Sequence, residues 1–235
     1  MKTQNIIKLA SRALDVFQTA SWIEQQRNYF GQRFTTKRRN FKEACKRSKF
    51  HIKLPFKVVT SKFAEDLDKS LYFGRPGDYV IDNASFKAED VASQLSNQDT
   101  VKLVIGCDTV VVFGGKIYEK PIDKNDAIRM LHDWYCLLNF SGREHSVYTG
   151  VVFLEVHEKF AEKFCEVTKL KFGDLSSELI DAYVESGESF DKAGAYSIQD
   201  SAAALVRAID GDFYNVMGFP LHRVLSSLLT LYGRP

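Results

Sequence analysis

The chain has 235 residues, 45% of them apolar and 26% charged, and a net charge of +2, ordinary proportions for a globular protein with enough length to bury a sizeable core. No apolar run approaches the roughly 20 residues needed to span a bilayer, and no apolar stretch with a small-residue cleavage site marks a secretory leader. The four cysteines (Cys45, Cys107, Cys136, Cys165) show no CxxC spacing, which fits free thiols in a reducing cytoplasm better than a disulfide framework or a zinc site.

The small net charge hides an asymmetry. Residues 1–57 carry 14 Lys and Arg against 3 Asp and Glu, and residues 58–235 carry 18 against 27. A basic arm suits either a nucleic-acid partner or a solvated extension. Aromatic residues stand in it (Trp22, Tyr29, Phe30, Phe34), but no RNA-binding signature does, so nucleic acid is the less favoured partner.

In chain order, residues 5–11 read as a short first strand, and residues 12–53 resist assignment. Phe56–Val59 reads as a strand. Tyr79 to Leu95 has helical spacing, with Tyr79, Val80, Ala84, Ala88, Val91, Ala92 and Leu95 on one side. Val101–Ile105 and Thr109–Phe113 are two β-branched runs around Asp108. Gly114-Gly115-Lys116 then reads as a hairpin turn, and Pro121 stops the strand that follows. Asp123 is a candidate N-cap, with Asp126 in the first turn of a helix that faces inward through Ala127, Met130, Leu131, Trp134 and Leu138. Val147–Leu154 and Val167–Phe172 read as strands, and Ser176 to Ser186 as a helix stopped by Gly187. Strands mixed with helices predict an α/β fold with a mixed sheet.

The phosphate-loop patterns GxxxxGK[ST] and GxGxxG are absent, as are HExxH and GxSxG. His132 and His145 read as ordinary polar positions. What remains is a set of acids and lysines at predicted strand edges: Glu65 and Asp66, Asp108, Glu119 and Lys120, and Lys192, with Gln199 shortly after. Each alone reads as a solvated strand end. Together they hold what phosphoryl chemistry needs: carboxylates for a hard divalent cation and lysines for phosphate charge.

These residues lie in segments that resemble the Maf family. VIGCDTVVVFGGKIYEKP (104–121) resembles its motif of an apolar strand, Ala-Asp-Thr, a hairpin and Lys-Pro. SGREHSVYTG (141–150), YVESGESFDKAGAYSIQ (183–199) and GDFYNVMGFPL (211–221) resemble the next three, in the family's order. Ser61–Glu65 is similar to its early acidic motif, and Lys87-Ala88 to a helical Lys-Ala pair. The resemblance covers about 56–225, so a Maf-like domain is expected over 56–230, behind a divergent basic segment at 1–55.

The resemblance implies a nucleoside triphosphate pyrophosphatase that cleaves between the α- and β-phosphates with a divalent metal, Mg²⁺ or Mn²⁺. It implies an α/β fold related to inosine triphosphatase, with a mixed twisted sheet, flanking helices and two lobes about a central cleft, in a homodimer. By position, Asp108 matches the catalytic acid, as general base toward water or as a metal ligand, and Glu65 a metal-holding acid. Lys87, Lys120 and Lys192 match triphosphate contacts. Thr109 and Gln199 match the base-selecting positions of the dTTP/UTP-type branch, which also implies action on modified nucleotides.

The first family motif departs from this pattern. Leu9-Ala10-Ser11 matches its beginning, but the Arg-Arg portion is resembled only by Thr36-Lys37-Arg38-Arg39. A smaller insertion falls at Trp134–Phe140. Two readings stay open: Ser11 and Arg38 meet at the cleft across a lineage-specific insertion, or the phosphate loop is impaired and the chain binds nucleotides without hydrolysing them.

Overall fold

The longest β-branched region of the chain folds as one strand. In the computed structural model, which describes residues 57–95, 101, 103–134, 144–156 and 160–232, β1 (Leu103–Phe113) runs through Asp108 without a break. Asp108 therefore stands in mid-strand, not at a strand edge. The predicted first strand at 5–11 lies outside the described residues. So do the basic segment through 56, with Ser11 and Arg38, and the 135–140 part of the second insertion.

β1 turns into β2 (Lys116–Tyr118) through the predicted hairpin. Phe113 pairs with Lys116, and Gly114 and Gly115 take φ of 56° and 78°, the two left-handed residues that a type I′ turn requires. Helix α2 (Lys124–Trp134) follows, capped by Asp123, whose Oδ1 accepts from Asp126 N at 2.8 Å. β3 (Glu144–Glu155) and β4 (Phe160–Phe172) pair along most of their lengths. Helix α3 (Ser177–Glu185) starts at the N-cap Ser176, as the sequence predicts. β5 (Val206–Asp210), the short α4 (Phe213–Val216) and α5 (Leu221–Tyr232) complete the order.

The sheet order is β2-β1-β3-β4-β5, and every described pairing is antiparallel. The α/β class holds, but the mixed sheet does not appear among these strands. The reason lies in the connection from β2 to β3. Helix α2 makes a crossover of the kind that joins parallel strands, but it carries the chain past β1, which lies between the two. The strand expected at Phe56–Val59 is also absent over 57–59, where the backbone follows an irregular path.

Alternation along β1 divides its side chains between two faces. Val104, Gly106, Asp108 and Val110 face helix α1 (Pro76–Ser93), where Tyr79, Val80, Ala84 and Ala88 are buried. α1 begins three residues before its predicted start because Pro76 fits the first turn of a helix. On the other face, Val111, Val147, Leu170 and Phe172 pack with residues of α2 and α3, while Val151, Phe153 and Phe164 pack against Val224 of α5.

Two glycines set how closely α1 lies on the sheet. A Cβ on Gly106 would stand 2.2 Å from Ala84 O, and one on Gly150 would stand 2.4 Å from Val80 C and O. These are backbone atoms that cannot swing away. Gly150 is also the cross-strand partner of Asp108, so one of the two close approaches of the helix falls beside the acid.

Gly150→Ala is expected to destabilise the fold by about 3 kcal/mol or more, since overpacking here meets backbone. Gly77→Ala has the opposite sign. Its Cβ would meet Cys165 Sγ at an ordinary 3.6 Å, and alanine in the helix adds about 0.5 kcal/mol. Urea denaturation of the two variants tests both signs.

Candidate functional site

Three of the predicted site residues meet at one point. Lys87 Nζ donates to Asp108 Oδ1 at 2.7 Å and to Glu65 Oε2 at 2.6 Å. Asp108 is only 8% exposed, and an isolated carboxylate at that depth would be costly. Lys87 offsets that cost from the edge of α1. Burial pulls the Lys87 pKa down, but the charges of Asp108 and then Glu65 outweigh it and hold the ammonium above the usual lysine range. The cluster is thus a cation held between two acids that were predicted 21 and 22 positions away from it.

Glu65 comes from a loop fastened to the far end of α1. Asp90 Oδ2 accepts from Ser61 Oγ at 2.9 Å and from Lys62 N at 2.6 Å, and Ser61 Oγ accepts from Phe63 N at 3.0 Å. The Phe63 and Phe86 rings lie 5.2 Å apart. Glu65 itself has φ of 55°, a left-handed conformation that a non-glycine residue holds only when its surroundings impose it. Here the fastened loop on one side and Lys87 on the other impose it.

A second network lies two turns back on the same helix edge. Tyr79 OH donates to Glu119 Oε1 at 2.5 Å, and Lys69 Nζ lies 2.5 Å from Glu119 Oε2. Burial pushes the Tyr79 hydroxyl well above its ordinary pKa, and the bond to Glu119 pushes it further. Tyr79, Asn83 and Lys87 are spaced four apart and so share one edge of α1. Asn83 is buried between the two networks. The sequence reading takes Tyr79 as core and passes over Asn83 and Lys69; the four-residue spacing that leads back from Lys87 was the available signal.

The other predicted residues are placed differently. Gly194 N donates to Glu119 O at 2.9 Å, which ties the segment of Lys192 to the strand end beside Lys120. Lys120 is exposed and Lys192 half-buried, and among the described residues the ion pair of Asp108 is with Lys87 and not with either of them. Gln199 Nε2 is buried without a hydrogen-bond partner. Thr109, next to Asp108 in sequence, points to the opposite face because side chains alternate along a strand. Its Oγ1 lies 3.1 Å from Thr149 Oγ1, which in turn donates to Asn215 O at 3.3 Å. The hairpin therefore does not turn the acid and the threonine toward one cleft.

Two of the motif segments brace the back of the sheet. Asn215 is fully buried, and its Nδ2 reaches Val147 O, Thr168 Oγ1 and Glu166 O at 3.1–3.3 Å. His145 is no ordinary surface position. It is buried, its Nε2 lies 2.9 Å from Tyr196 OH, and it packs on the Phe172 ring. The 141–150 and 183–199 segments are joined by that bond.

Lys87 and Tyr79 both bind their protons more tightly in the folded chain than in the unfolded one. The stability this brings is complete at neutral pH. It is lost as pH rises past the ordinary values of 10.5 and 10.0 through the raised ones. Urea denaturation between about pH 8 and 11 should show a falling stability limb that is shallower in Lys87→Met and in Tyr79→Phe.

Similarity to known proteins identifies the family. The family model described as Maf-like protein matches residues 47–231. A Homo sapiens protein named probable bifunctional dTTP/UTP pyrophosphatase/methyltransferase protein is 46% identical over 190 residues, 77% of this chain and 30% of that protein. The dTTP/UTP pyrophosphatase of Clostridium botulinum (strain Okra / Type B1) is 41% identical over 75% of this chain and 86% of its own length. That of Dictyoglomus turgidum is 41% identical over 77% and 88%. The chain thus spans less than a third of the human relative but most of the bacterial ones. With the family model covering most of its length, the chain belongs to the Maf family.

Proposed function

We propose that this chain hydrolyses dTTP and UTP, and modified nucleotides of that kind, to the nucleoside monophosphate and pyrophosphate. The substrate class follows the names of its relatives. The observation that carries the chemistry is the buried Asp108 carboxylate, joined through Lys87 to Glu65. In this reading Asp108 accepts a proton from the attacking water. The water oxygen bonds to the α-phosphorus, the bond from that phosphorus to the bridging oxygen breaks, and pyrophosphate leaves.

Lys87 meets the incoming phosphate charge by turning from the acids it bridges. Lys120 and Lys192 neutralise the outer phosphates, and Ser11 and Arg38, outside the described residues, complete the contacts. Gln199 offers a buried amide donor suited to a carbonyl oxygen of a pyrimidine. Thr109, facing the other side of the sheet, serves structure in this reading and not base selection.

Among the described residues no group of three His, Cys, Asp or Glu side chains could hold a metal alone. Glu65 and Asp108 nonetheless converge on one atom, and two carboxylates with substrate phosphates suit Mg²⁺ or Mn²⁺. These two residues would hold the ion, which when bound would offset phosphate charge. No helix among the described residues is long and apolar enough to cross a membrane. The cytoplasm as the place of action and a homodimer, with the basic segment at 1–55 outside the catalytic domain, belong to the same proposal.

The test is a nucleotide panel with Mg²⁺ or Mn²⁺, scoring pyrophosphate against orthophosphate. Pyrophosphate from UTP and dTTP is expected, and Asp108→Asn should lower the rate about 1,000-fold or more with the circular-dichroism spectrum unchanged. Orthophosphate as the sole product overturns the reading, and so does normal turnover by Asp108→Asn. Nucleotide binding without release of either product would mean that the interrupted N-terminal motif has cost the chain its catalysis.

A further inference from the structure

Asp90 stands three residues after Lys87 on α1, and positions three apart share one face of a helix. The loop that carries Glu65 lies along that face. Its far end meets Lys87, through Glu65 Oε2 at 2.6 Å. Its near end meets Asp90, whose Oδ2 accepts from Ser61 Oγ at 2.9 Å and from Lys62 N at 2.6 Å. Gln94 Nε2, one turn on, donates to the same oxygen at 2.9 Å and fixes the carboxylate on the helix. Between the two ends, the Phe63 ring lies 5.2 Å from that of Phe86.

The two ends hold the loop under different conditions. The Glu65 side chain is 42% exposed, and an ion pair with one partner so open to water holds little by itself. Lys87 is also the group that turns to substrate phosphate in the reading above, so its hold on Glu65 lapses when nucleotide arrives. The bonds to Asp90 do not pass through Lys87 and stay in place. They oppose the relaxation of Glu65 from its left-handed φ of 55°, a conformation that only the surroundings maintain.

We propose that Asp90 is a positioning residue for the divalent ion. It clamps the 61–65 loop to α1 and so keeps the Glu65 carboxylate within reach of Asp108 after Lys87 has turned away. This rests on the reading of Glu65 and Asp108 as the two acids that hold the ion. Asp90 acts through Glu65 and not as a ligand. Its effect is preorganisation: a carboxylate already held in place loses less freedom when the ion binds.

The experiment uses the full chain with Asp90→Ala, Asp90→Asn, Ser61→Ala, Glu65→Gln and the double variant Asp90→Ala with Glu65→Gln. Mn²⁺ binding beside a non-hydrolysable UTP analogue is read by electron paramagnetic resonance. Asp90→Ala weakens it about tenfold, the low end of what outer partners contribute to metal affinity. The Mg²⁺ needed for half-maximal pyrophosphate release from UTP rises equally, while kcat at saturating Mg²⁺ stays within about threefold of the parent. Asp90→Asn keeps an oxygen for Lys62 N, and Ser61→Ala removes one of the two loop bonds. Each therefore weakens Mn²⁺ binding less than Asp90→Ala does. With Glu65 already replaced, Asp90→Ala adds no further loss, because both act by one route. Without metal, amide exchange in 61–65 is faster in Asp90→Ala and that of β1 is unchanged.

Unchanged Mn²⁺ binding in Asp90→Ala, beside weakened binding in Glu65→Gln, overturns the role of Asp90 alone. Additive losses in the double variant also overturn it and assign Asp90 to general stability. Equal losses in Asp90→Asn and Asp90→Ala overturn it as well, and assign the effect to attraction of the ion by a nearby charge. Should Asp90→Ala not fold, Ser61→Ala with and without Glu65→Gln carries the same comparison. Unchanged binding in Glu65→Gln means that the ion is held elsewhere, and the reading of the two acids fails together with the inference.

Discussion

The structure depends on how closely α1 lies against β1 and β3. Gly106 and Gly150 allow that approach by presenting no side chain where the helix backbone passes. Lys87 can then reach Asp108 from the helix edge. A carboxylate in the middle of a central strand is costly to bury unpaired, and the matching ammonium comes from a helix that precedes the strand in sequence. Docking of the helix and burial of the acid therefore support each other. Separating them would leave a charge in an apolar layer, where breaking a buried pair costs about 3–5 kcal/mol.

From that contact the site extends along one helix edge. Lys87 anchors the loop of Glu65, and Tyr79 anchors the strand end of Glu119, to which the loop of Lys192 is tied by a main-chain bond. The reverse side of the same strands is braced by Thr109, Thr149 and Asn215. One strand thus carries reactive groups on its front and a buried hydrogen-bond brace on its back.

Much of this was legible in the sequence where the cause is local. The Gly114-Gly115 turn and the caps at Asp123 and Ser176 depend on residues within a few positions. The acids and most of the lysines were found as polar groups at predicted strand edges and Lys87 through motif resemblance, and the structure brings Glu65, Lys87 and Asp108 together. The unity of β1 was not legible, because a polar Cys107-Asp108 pair reads as a break unless its distant partner is known. The start of β4 at Phe160 was missed for a related reason: Glu162 and Lys163 interrupt the apolar pattern, yet Glu162 is held by Ser227 of α5. No helix or strand was assigned beyond Gly187, although α5 buries Leu221 and Val224. The antiparallel sheet could not be read from element order, since α2 makes the same crossover whether or not β1 lies between its strands.

The loop of Glu65 and the strand of Asp108 differ in how they would open. Asp108 sits in the middle of an eleven-residue strand paired with β3 along most of its length, opposite Gly150, so exposing its backbone requires breaking that pairing. Glu65 sits on an exposed loop whose ties to Asp90 are few and lie near solvent. Local unfolding free energy follows such differences. Amide exchange in 61–65 is therefore expected to proceed through small openings that leave β1 intact, in which Lys87 keeps Asp108 and loses Glu65. On that expectation the site pairs a fixed acid with a detachable one, whose loop leaves and returns many times for each global unfolding of the chain.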